Sequence, residues 1–172
     1  MWDDFLIAHT IPNFADRKTE VLQKILSLGT HSVVSDGQQI SNTDWYLQGR
    51  TDRPYLNPIL EDVDSALKKL HSKAYSALPS GSVQFKIDQY WFQQYSEGDF
   101  HNWHAHSVSY AAVIFVELGA GAETQFLLNG KTKTVPVSEG QILIFPAMVP
   151  HRSPPNLSGS RKTSIALNIS IC

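Results

Sequence analysis

"SVQFKIDQYWFQQY", residues 82–95, is the clearest indication of the fold of this chain. Val83, Phe85 and Ile87 alternate with polar residues, and this two-residue period is typical of a β-strand with one buried face. Further short apolar runs follow to the end of the chain: "YAAVIFVEL" at 110–118, "TQFLLNGKTKTVPV" at 124–137, "GQILIFP" at 140–146 and "KTSIALNISI" at 162–171. The second half of the chain therefore predicts a succession of short strands.

Two helices are predicted in the first half. Residues 13–29 carry apolar side chains at helical spacing, with Asn13 as the expected N-cap. Residues 57–78 repeat the pattern, with Asn57 as cap and Pro58 at the first helical position, where its missing N–H costs nothing. Both segments read as amphipathic helices that cover one face of a sheet.

Helices followed by six or more short strands predict an α+β fold that is mainly β, dominated by a β-sandwich or a jelly roll. We expect one domain over residues 1–172, in which 1–80 form the helical support and 81–172 the jelly-roll core that carries the site. Asn129-Gly130 predicts a tight hairpin turn inside that core. A parallel α/β fold is disfavoured, because no helices alternate with the later strands.

Composition excludes several classes of protein. The formal charge is −2 and no basic cluster exceeds a pair such as Lys68-Lys69. The sequence therefore offers no basic patch for binding nucleic acid or an anionic membrane. Cys172 is the only cysteine, so no intrachain disulfide can form. No apolar run approaches the roughly 20 residues that span a bilayer, and the N-terminus lacks the features of a signal peptide. We therefore expect a cytoplasmic protein.

Histidines cluster in "GDFHNWHAHS", residues 98–107, which holds three of the seven in the chain. Imidazole is the side chain most often recruited for metals and for proton transfer near neutral pH. If a strand begins near His104, then His104 and His106 point to the same face. His151 follows a predicted strand in a turn that prolines make rigid, and packing of two sheets could bring it opposite the pair.

Spacing alone leaves a simpler interpretation open. Two histidines separated by one residue are weak evidence of a site, and such residues are often polar surface groups. His9, His31 and His71 are further histidines without any such pattern. For His101, the third histidine of the cluster, we expect a solvent-exposed position in a loop.

The residues around the histidines resemble a known family. The segment "YSEGDFHNWHAH" at 95–106 is similar to the first metal-binding motif of 2-oxoglutarate- and Fe(II)-dependent oxygenases, notably the prolyl-4-hydroxylase-like branch. "GAETQF" at 121–126 resembles the G-G-E-T-x-F motif of that branch, and "EGQILIFPAMVPHRSPPNLSGSRKTSIALNI" at 139–169 resembles its last motif. The three pieces occur in the family's order and together cover about residues 83–171.

The resemblance implies a double-stranded β-helix, Fe(II) as the metal and 2-oxoglutarate as co-substrate. It makes His104 the first iron ligand and His151 the distal one. It places Arg161 on the far carboxylate of 2-oxoglutarate, a role suited to the forked donors of a guanidinium. Thr163 would add a hydroxyl hydrogen bond to that carboxylate, and Tyr95 would line the co-substrate pocket.

One residue departs from the family pattern. His106 stands where the family has the aspartate of its facial triad of two histidines and one carboxylate. Three imidazoles can still bind Fe(II) on one face, but they also suit zinc, copper and nickel. The substitution therefore leaves the identity of the metal open.

The preferred hypothesis is an oxygenase, most simply a hydroxylase, that uses dioxygen on a small-molecule or peptidyl substrate with His104, His106 and His151 as metal ligands. A second hypothesis keeps the three-histidine metal without 2-oxoglutarate, as in a cupin-like dioxygenase or a zinc enzyme. A third is a jelly-roll binding module whose catalytic centre has decayed. The polar segment 35–56 is either a lid over the cavity or an ordinary surface loop.

Overall fold

The computed structural model describes residues 5–47, 53–79 and 82–172. In these ranges the chain is mainly β, as expected, with two α-helices before the long run of strands. In chain order the elements are β1 (Ile7–Thr10), α1 (Phe14–Leu26), β2 (His31–Ser35), β3 (Gln38–Thr43), α2 (Leu60–Ala74), β4 (Phe85–Tyr95), β5 (Phe100–His104), β6 (Tyr110–Glu117), β7 (Gln125–Leu128), β8 (Lys131–Thr134), β9 (Gln141–Pro146), β10 (His151–Ser153) and β11 (Lys162–Ile171).

The strands of the described ranges form one curled antiparallel sheet, and the jelly-roll prediction is confirmed. Their order is β1-β9-β6-β11-β4-β3-β5-β10-β7-β8, and β2 pairs with β3. The long strand β11 lies in the middle, between β4 and β6. Its register with β4 runs from Lys162 opposite Tyr95 to Ile171 opposite Phe85. Strands distant in sequence are therefore neighbours in space, which is how segments around residues 95, 104, 151 and 162 meet.

The two faces of the sheet bury two different cores. Phe92 of β4 and Ile165 of β11 belong to the core that includes Val21 and Ile25 of α1. The inner face of the roll has its own, smaller core, formed by Ala111, Phe115, Phe126, Leu143, Phe145 and Ala147. Because side chains alternate along a strand, the residues on either side of Phe92 in β4 point into the roll.

The helix boundaries differ from the prediction. Asn13 precedes α1 with a left-handed φ of 52°, and its side chain makes no capping hydrogen bond. Pro58 lies in a 3-10 helix, Pro54–Ile59, so α2 begins only at Leu60. Neither α-helix of the described ranges is long and apolar enough to span a bilayer.

The hairpin prediction is confirmed. Strands β7 and β8 pair from Gln125 opposite Thr134 to Leu128 opposite Lys131. Asn129 and Gly130 connect them with φ values of 51° and 71°. Two successive positive φ angles are the geometry of a type I′ turn, which the Asn-Gly pair adopts readily.

Much of the polar segment 35–56 is ordered. It contains β3, the short 3-10 helix Trp45–Leu47 and the start of the next 3-10 helix. Residues 48–52 lie outside the described part of the chain. Asp44 accepts hydrogen bonds from the Tyr55 hydroxyl at 2.7 Å and from the Phe92 amide at 2.9 Å, which anchors the segment to β4.

Gly140 is expected to be essential for packing α1 against the sheet. Its φ is +77°, and an added Cβ would lie 2.6 Å from the Cβ of Phe14. Gly121 has the same φ of +77° but nothing within 4 Å of such a Cβ, so it is a matched control. Gly121→Ala should lower the unfolding free energy by about 1–2 kcal/mol and Gly140→Ala by about 1–3 kcal/mol more, in urea denaturation. Equal losses in the two variants would contradict this packing role.

Candidate metal centre

Three histidines converge inside the roll. One ring nitrogen from each of His104, His106 and His151 lies within 4.8 Å of the others. His151 is buried and the other two are half-buried. Ring centroids are 4.4 Å apart for His104 and His151 and 5.2 Å apart for His106 and His151. Such a group of ring nitrogens can share one metal ion.

Strand pairing accounts for this convergence. His104 is the last residue of β5, and His151, the first residue of β10, lies directly opposite it. The expectation of a strand beginning near His104 is wrong, because the strand ends there. His106 belongs to the following loop, and its N–H donates to the carbonyl oxygen of Ala147 at 2.9 Å. His106 therefore reaches the cluster from a loop. It does not share a strand face with His104, as the sequence suggested.

Backbone carbonyls orient two of the rings. Nδ1 of His104 donates to the carbonyl oxygen of Asn102 at 2.7 Å, and Nδ1 of His151 donates to that of Val149 at 2.9 Å. A carbonyl can only accept, so the proton of each neutral ring is on Nδ1 and the lone pair is on Nε2. A hydrogen bond from the second ring nitrogen is the usual support of a metal-bound histidine. The residues present therefore fit a metal ion.

Burial keeps the cluster neutral. It lowers the pKa of His151 to about 3 and that of His106 to about 4, and it also lowers the pKa of His104. The aromatic ring of Phe145 lies 4.7 Å from that of His151 and helps to exclude water there. Neutral imidazoles present lone pairs to a cation without first losing a proton.

His101 is not the exposed loop residue that the sequence suggested. It lies within β5 and is half-buried, and its ring stacks on that of His104 with centroids 3.9 Å apart and planes 12° apart. Nε2 of Gln93 lies 3.4 Å from its Nδ1. His101 therefore supports the ring of a candidate ligand and lies outside the group of three.

A buried lysine occupies the same cavity as the histidines. Lys162, the first residue of β11, is 1% exposed and lines the cavity with the three histidines, Tyr95 and Ser153. Its Nζ donates to the carbonyl oxygen of Ala122 at 2.7 Å and to Oγ of Ser153 at 2.8 Å. The ammonium also lies 5.2 Å from the centre of the Tyr95 ring. Sequence reasoning did not identify this residue.

Arg161 and Thr163 lie elsewhere. Arg161 is exposed and forms a bidentate ion pair with Glu117. Its Nε donates to Oε2 of the carboxylate at 2.8 Å and its Nη2 donates to Oε1 at 3.0 Å. Oγ1 of Thr163 donates to the same carboxylate and accepts from Nε2 of Gln94. Neither residue is among those that line the cavity. Successive side chains of a strand point to opposite faces, so a shift of one residue exchanges Arg161 for Lys162.

The alternation of β11 contained the missing signal. In "KTSIALNISI" one face carries Thr163, Ile165, Leu167 and Ile169, and the apolar members of this set are in the core shared with the helices. The other face begins Lys162, Ser164, Ala166, a small and polar set that leaves room for a cavity. Because the residues that pack against the helices alternate with the others along β11, this pattern would have assigned Lys162 to the interior of the roll.

Electrostatics distinguish Lys162 and Tyr95 from ordinary core residues. Burial lowers the pKa of Lys162 to about 7, and the nearby Glu123 partly opposes that shift. Burial raises the pKa of the Tyr95 hydroxyl, which therefore remains protonated. Tyr95 lines the cavity together with the histidines, and its place beside a co-substrate stays a prediction. A buried ammonium with a neutral tyrosine beside it is suited to binding an anion.

Comparison with known proteins gives similarity of structure alone. No protein-family model matches the chain, and no curated protein matches it. Solved structures match over almost its full length. They include a prolyl-4-hydroxylase from Pseudomonas putida, with a TM-score of 0.67 and 17% identity over 96% of this chain and 92% of that one.

Two further structures belong to the same group. A 2OG-Fe(II) oxygenase family oxidoreductase from Burkholderia pseudomallei has a TM-score of 0.69 and 12% identity, over 96% of this chain and 85% of that one. A Trichoplax adhaerens prolyl hydroxylase, in complex with a hypoxia inducible factor peptide, has a TM-score of 0.66 and 14% identity, over 97% and 84%. These neighbours confirm the expected fold. At such low identity the chemistry has to be argued from the residues.

The three-histidine cluster is expected to bind one divalent metal ion. We expect about one equivalent of Co(II) to bind with a visible d–d spectrum, and His151→Ala to weaken it more than about 100-fold. Loss of even a hydrogen-bond partner of a metal ligand costs about 10–100-fold in affinity. His31, an exposed histidine of β2, supplies the control variant His31→Ala, which should bind cobalt as the parent does. Equal losses in both variants would mean that cobalt binds elsewhere.

Proposed function

We propose that this chain is a non-haem Fe(II)- and 2-oxoglutarate-dependent oxygenase of the hydroxylase type. The observation that carries the proposal is the buried ammonium of Lys162 in one cavity with three convergent imidazoles. The similarity of fold to 2OG-Fe(II) oxygenases agrees with it.

His104, His106 and His151 would hold the iron. Three imidazoles on one side of the ion leave positions for further ligands, as the facial triad of iron oxygenases does. The same neutral set suits zinc, copper and nickel, so the ligands alone do not select iron. The choice therefore depends on what else the cavity is built to bind.

Lys162 supports a bound dianion. A divalent cation and a buried ammonium in one cavity repel each other, and burying an unpaired charge is costly. A dicarboxylate with one end at the metal and the other at Lys162 compensates both. Within the described part of the chain, Nζ of Lys162 uses two of its three N–H donors, on Ala122 and Ser153. The third can be given to a carboxylate.

The residues of the cavity would then orient the reaction. When bound, Fe(II) and 2-oxoglutarate supply oxidising chemistry, in which dioxygen converts the co-substrate to succinate and carbon dioxide and oxidises a substrate. Lys162 would hold the far carboxylate, and Tyr95 would form the wall beside it. Phe145 and the carbonyl-bound ring of His151 would keep the metal side fixed and shielded from water.

A second candidate is favoured by the absence of a carboxylate from the group of three. The described residues that form this group are all histidines, and His106 stands where the family has aspartate. A metalloenzyme that uses three histidines without 2-oxoglutarate would have this ligand set. It would have no use for Lys162, so the two candidates differ in their response to loss of this one side chain.

Loss of Lys162 is expected to abolish co-substrate binding and leave the metal in place. Lys162→Met keeps the volume and removes the charge. Removing one partner of a buried ion pair costs about 3–5 kcal/mol, so 2-oxoglutarate affinity should fall at least about 100-fold. Anaerobic titration of the Fe(II)-loaded protein with 2-oxoglutarate, read by its visible charge-transfer band, measures the affinity.

Arg161→Met is the matched control, since it removes the cation that precedes Lys162 in the sequence. Its partner Glu117 lies outside the cavity lining, and an exposed ion pair contributes little free energy. The affinity of Arg161→Met for 2-oxoglutarate should therefore remain within about twofold of the parent. If Lys162→Met binds 2-oxoglutarate as the parent does, or if the parent shows no charge-transfer band, the oxygenase proposal fails and the second candidate gains.

The affinity for 2-oxoglutarate is expected to fall as pH rises. Burial gives ligand-free Lys162 a pKa of about 7, whereas a bound carboxylate favours its protonated form. Well below the pKa of Lys162, which the charge of a bound metal ion lowers further, the lysine is already charged, so the affinity should be nearly constant. Above pH 7 binding must take up a proton, so the dissociation constant should rise by up to about tenfold per pH unit. A profile that is flat from pH 6 to 9 would contradict this linkage.

A further inference from the structure

A second cavity adjoins the histidines and is not used by the chemistry above. It measures about 240 Å³ and shares Trp91, Gln93 and three of the histidines with the first cavity, but it does not reach Lys162. Its remaining lining comes from the β2–β3 hairpin and from Trp45. A ligand in this cavity would lie against the metal ligands while the lysine end remains free for another molecule.

Two tryptophans form one wall of this second cavity. The rings of Trp45 and Trp91 meet edge to face, with centroids 4.5 Å apart and planes 75° apart. Trp91 is 5% exposed and its ring centroid lies 6.2 Å from that of His106. Trp45 is 37% exposed, at the outer end. The indole rings thus lead from the surface to a candidate metal ligand, and they offer contacts suited to a flat ring.

The second cavity carries no formal charge of its own. Among the described residues that line it, none bears a carboxylate, ammonium or guanidinium group. Its polar groups are hydroxyl, imidazole, amide and the indole N–H donors of the two tryptophans. The Thr43 hydroxyl is already used, since it donates to the carbonyl oxygen of Phe92 at 2.7 Å. Amides from Gln38 and Gln93 are the polar groups suited to an uncharged carbonyl or amide.

We propose that the second cavity binds an uncharged, planar ring group that carries an amide or carbonyl. In the metal-free chain, charged ligands are disfavoured because no charged side chain in the lining would compensate their desolvation. The volume is below the roughly 300–1,000 Å³ of drug-sized sites, so it admits one ring-sized group. That this group is the substrate of the oxidation rests on the proposed oxygenase function, whereas its binding does not.

Three nearly isosteric probes test the charge preference. Benzamide is neutral, benzoate is an anion and benzamidine is a cation at neutral pH. Ligand-observed NMR titrations of the metal-free full chain should give benzamide the highest affinity, by about tenfold or more, because burying an uncompensated charge is costly. Only binding that Trp45→Ala weakens counts as occupancy of this cavity, which removes any binding of benzoate at Lys162 from the comparison.

Matched variants locate the binding. Trp45→Ala should weaken benzamide at least about fivefold through loss of aromatic contact. Tyr46→Ala, at the exposed neighbour outside the lining, should leave it unchanged. Circular dichroism and cobalt content check that each variant is folded. Gln38→Glu adds a carboxylate to the cavity, so benzamidine should then bind more tightly than benzamide.

Each result decides for or against the proposal. It is overturned if no probe binds in a Trp45-dependent manner, if benzoate or benzamidine matches benzamide in the parent, or if Gln38→Glu leaves the order unchanged. The outcome is separable from that of the oxygenase proposal. Benzamide binding in a protein that lacks a 2-oxoglutarate site would retain the second cavity and reject the oxygenase.

Discussion

The antiparallel pairing of β5 with β10 places His104 directly opposite His151, and the candidate site depends on this register. Both strands are short, and two backbone carbonyls hold the rings in fixed tautomers. A one-residue shift in this pairing would turn one imidazole to the other face of the sheet. The 2.9 Å hydrogen bond from the His106 amide to Ala147 then brings the third ring from a loop. The centre is therefore a product of strand register.

The same alternation on β11 determines which cation faces the metal. Lys162 is inside, while Arg161 binds Glu117 at the surface. Lysine suits this position because a compact ammonium fits between Ala122, Ser153 and the Tyr95 ring, whereas a guanidinium needs a wider planar partner. Burial also brings the pKa of Lys162 to about 7, which an arginine would not allow. Binding of an anion at this site would consequently be linked to proton uptake.

A histidine at position 106, where the resembled motif has an aspartate, leaves the group of three without a negative charge. With three neutral ligands, the full charge of a divalent ion would remain uncompensated, and a protonated Lys162 would add to it. In the proposed function an anionic co-substrate would be the main compensating group, so metal and co-substrate would stabilise each other's binding. The neutral second cavity, with Trp45 and Trp91, is suited to a different kind of molecule. In the two proposals together, the cavities would hold a charged ligand and an uncharged one on either side of shared histidines.

Local sequence patterns were sufficient for the fold class and the Asn129-Gly130 turn, because periodicity and turn preference act between near neighbours. Spacing alone did not identify the group of three histidines, which followed from the resemblance to a family's motifs. The local patterns also contained the two-residue alternation of β11, which assigns Lys162 to the interior of the roll. Three features depended on contacts between distant segments: the pairing of β5 with β10, the burial of His101 against Gln93, and the second cavity beside β4. A pattern within one strand specifies which face a residue occupies, but the opposing residue is set by how the whole sheet curls and packs.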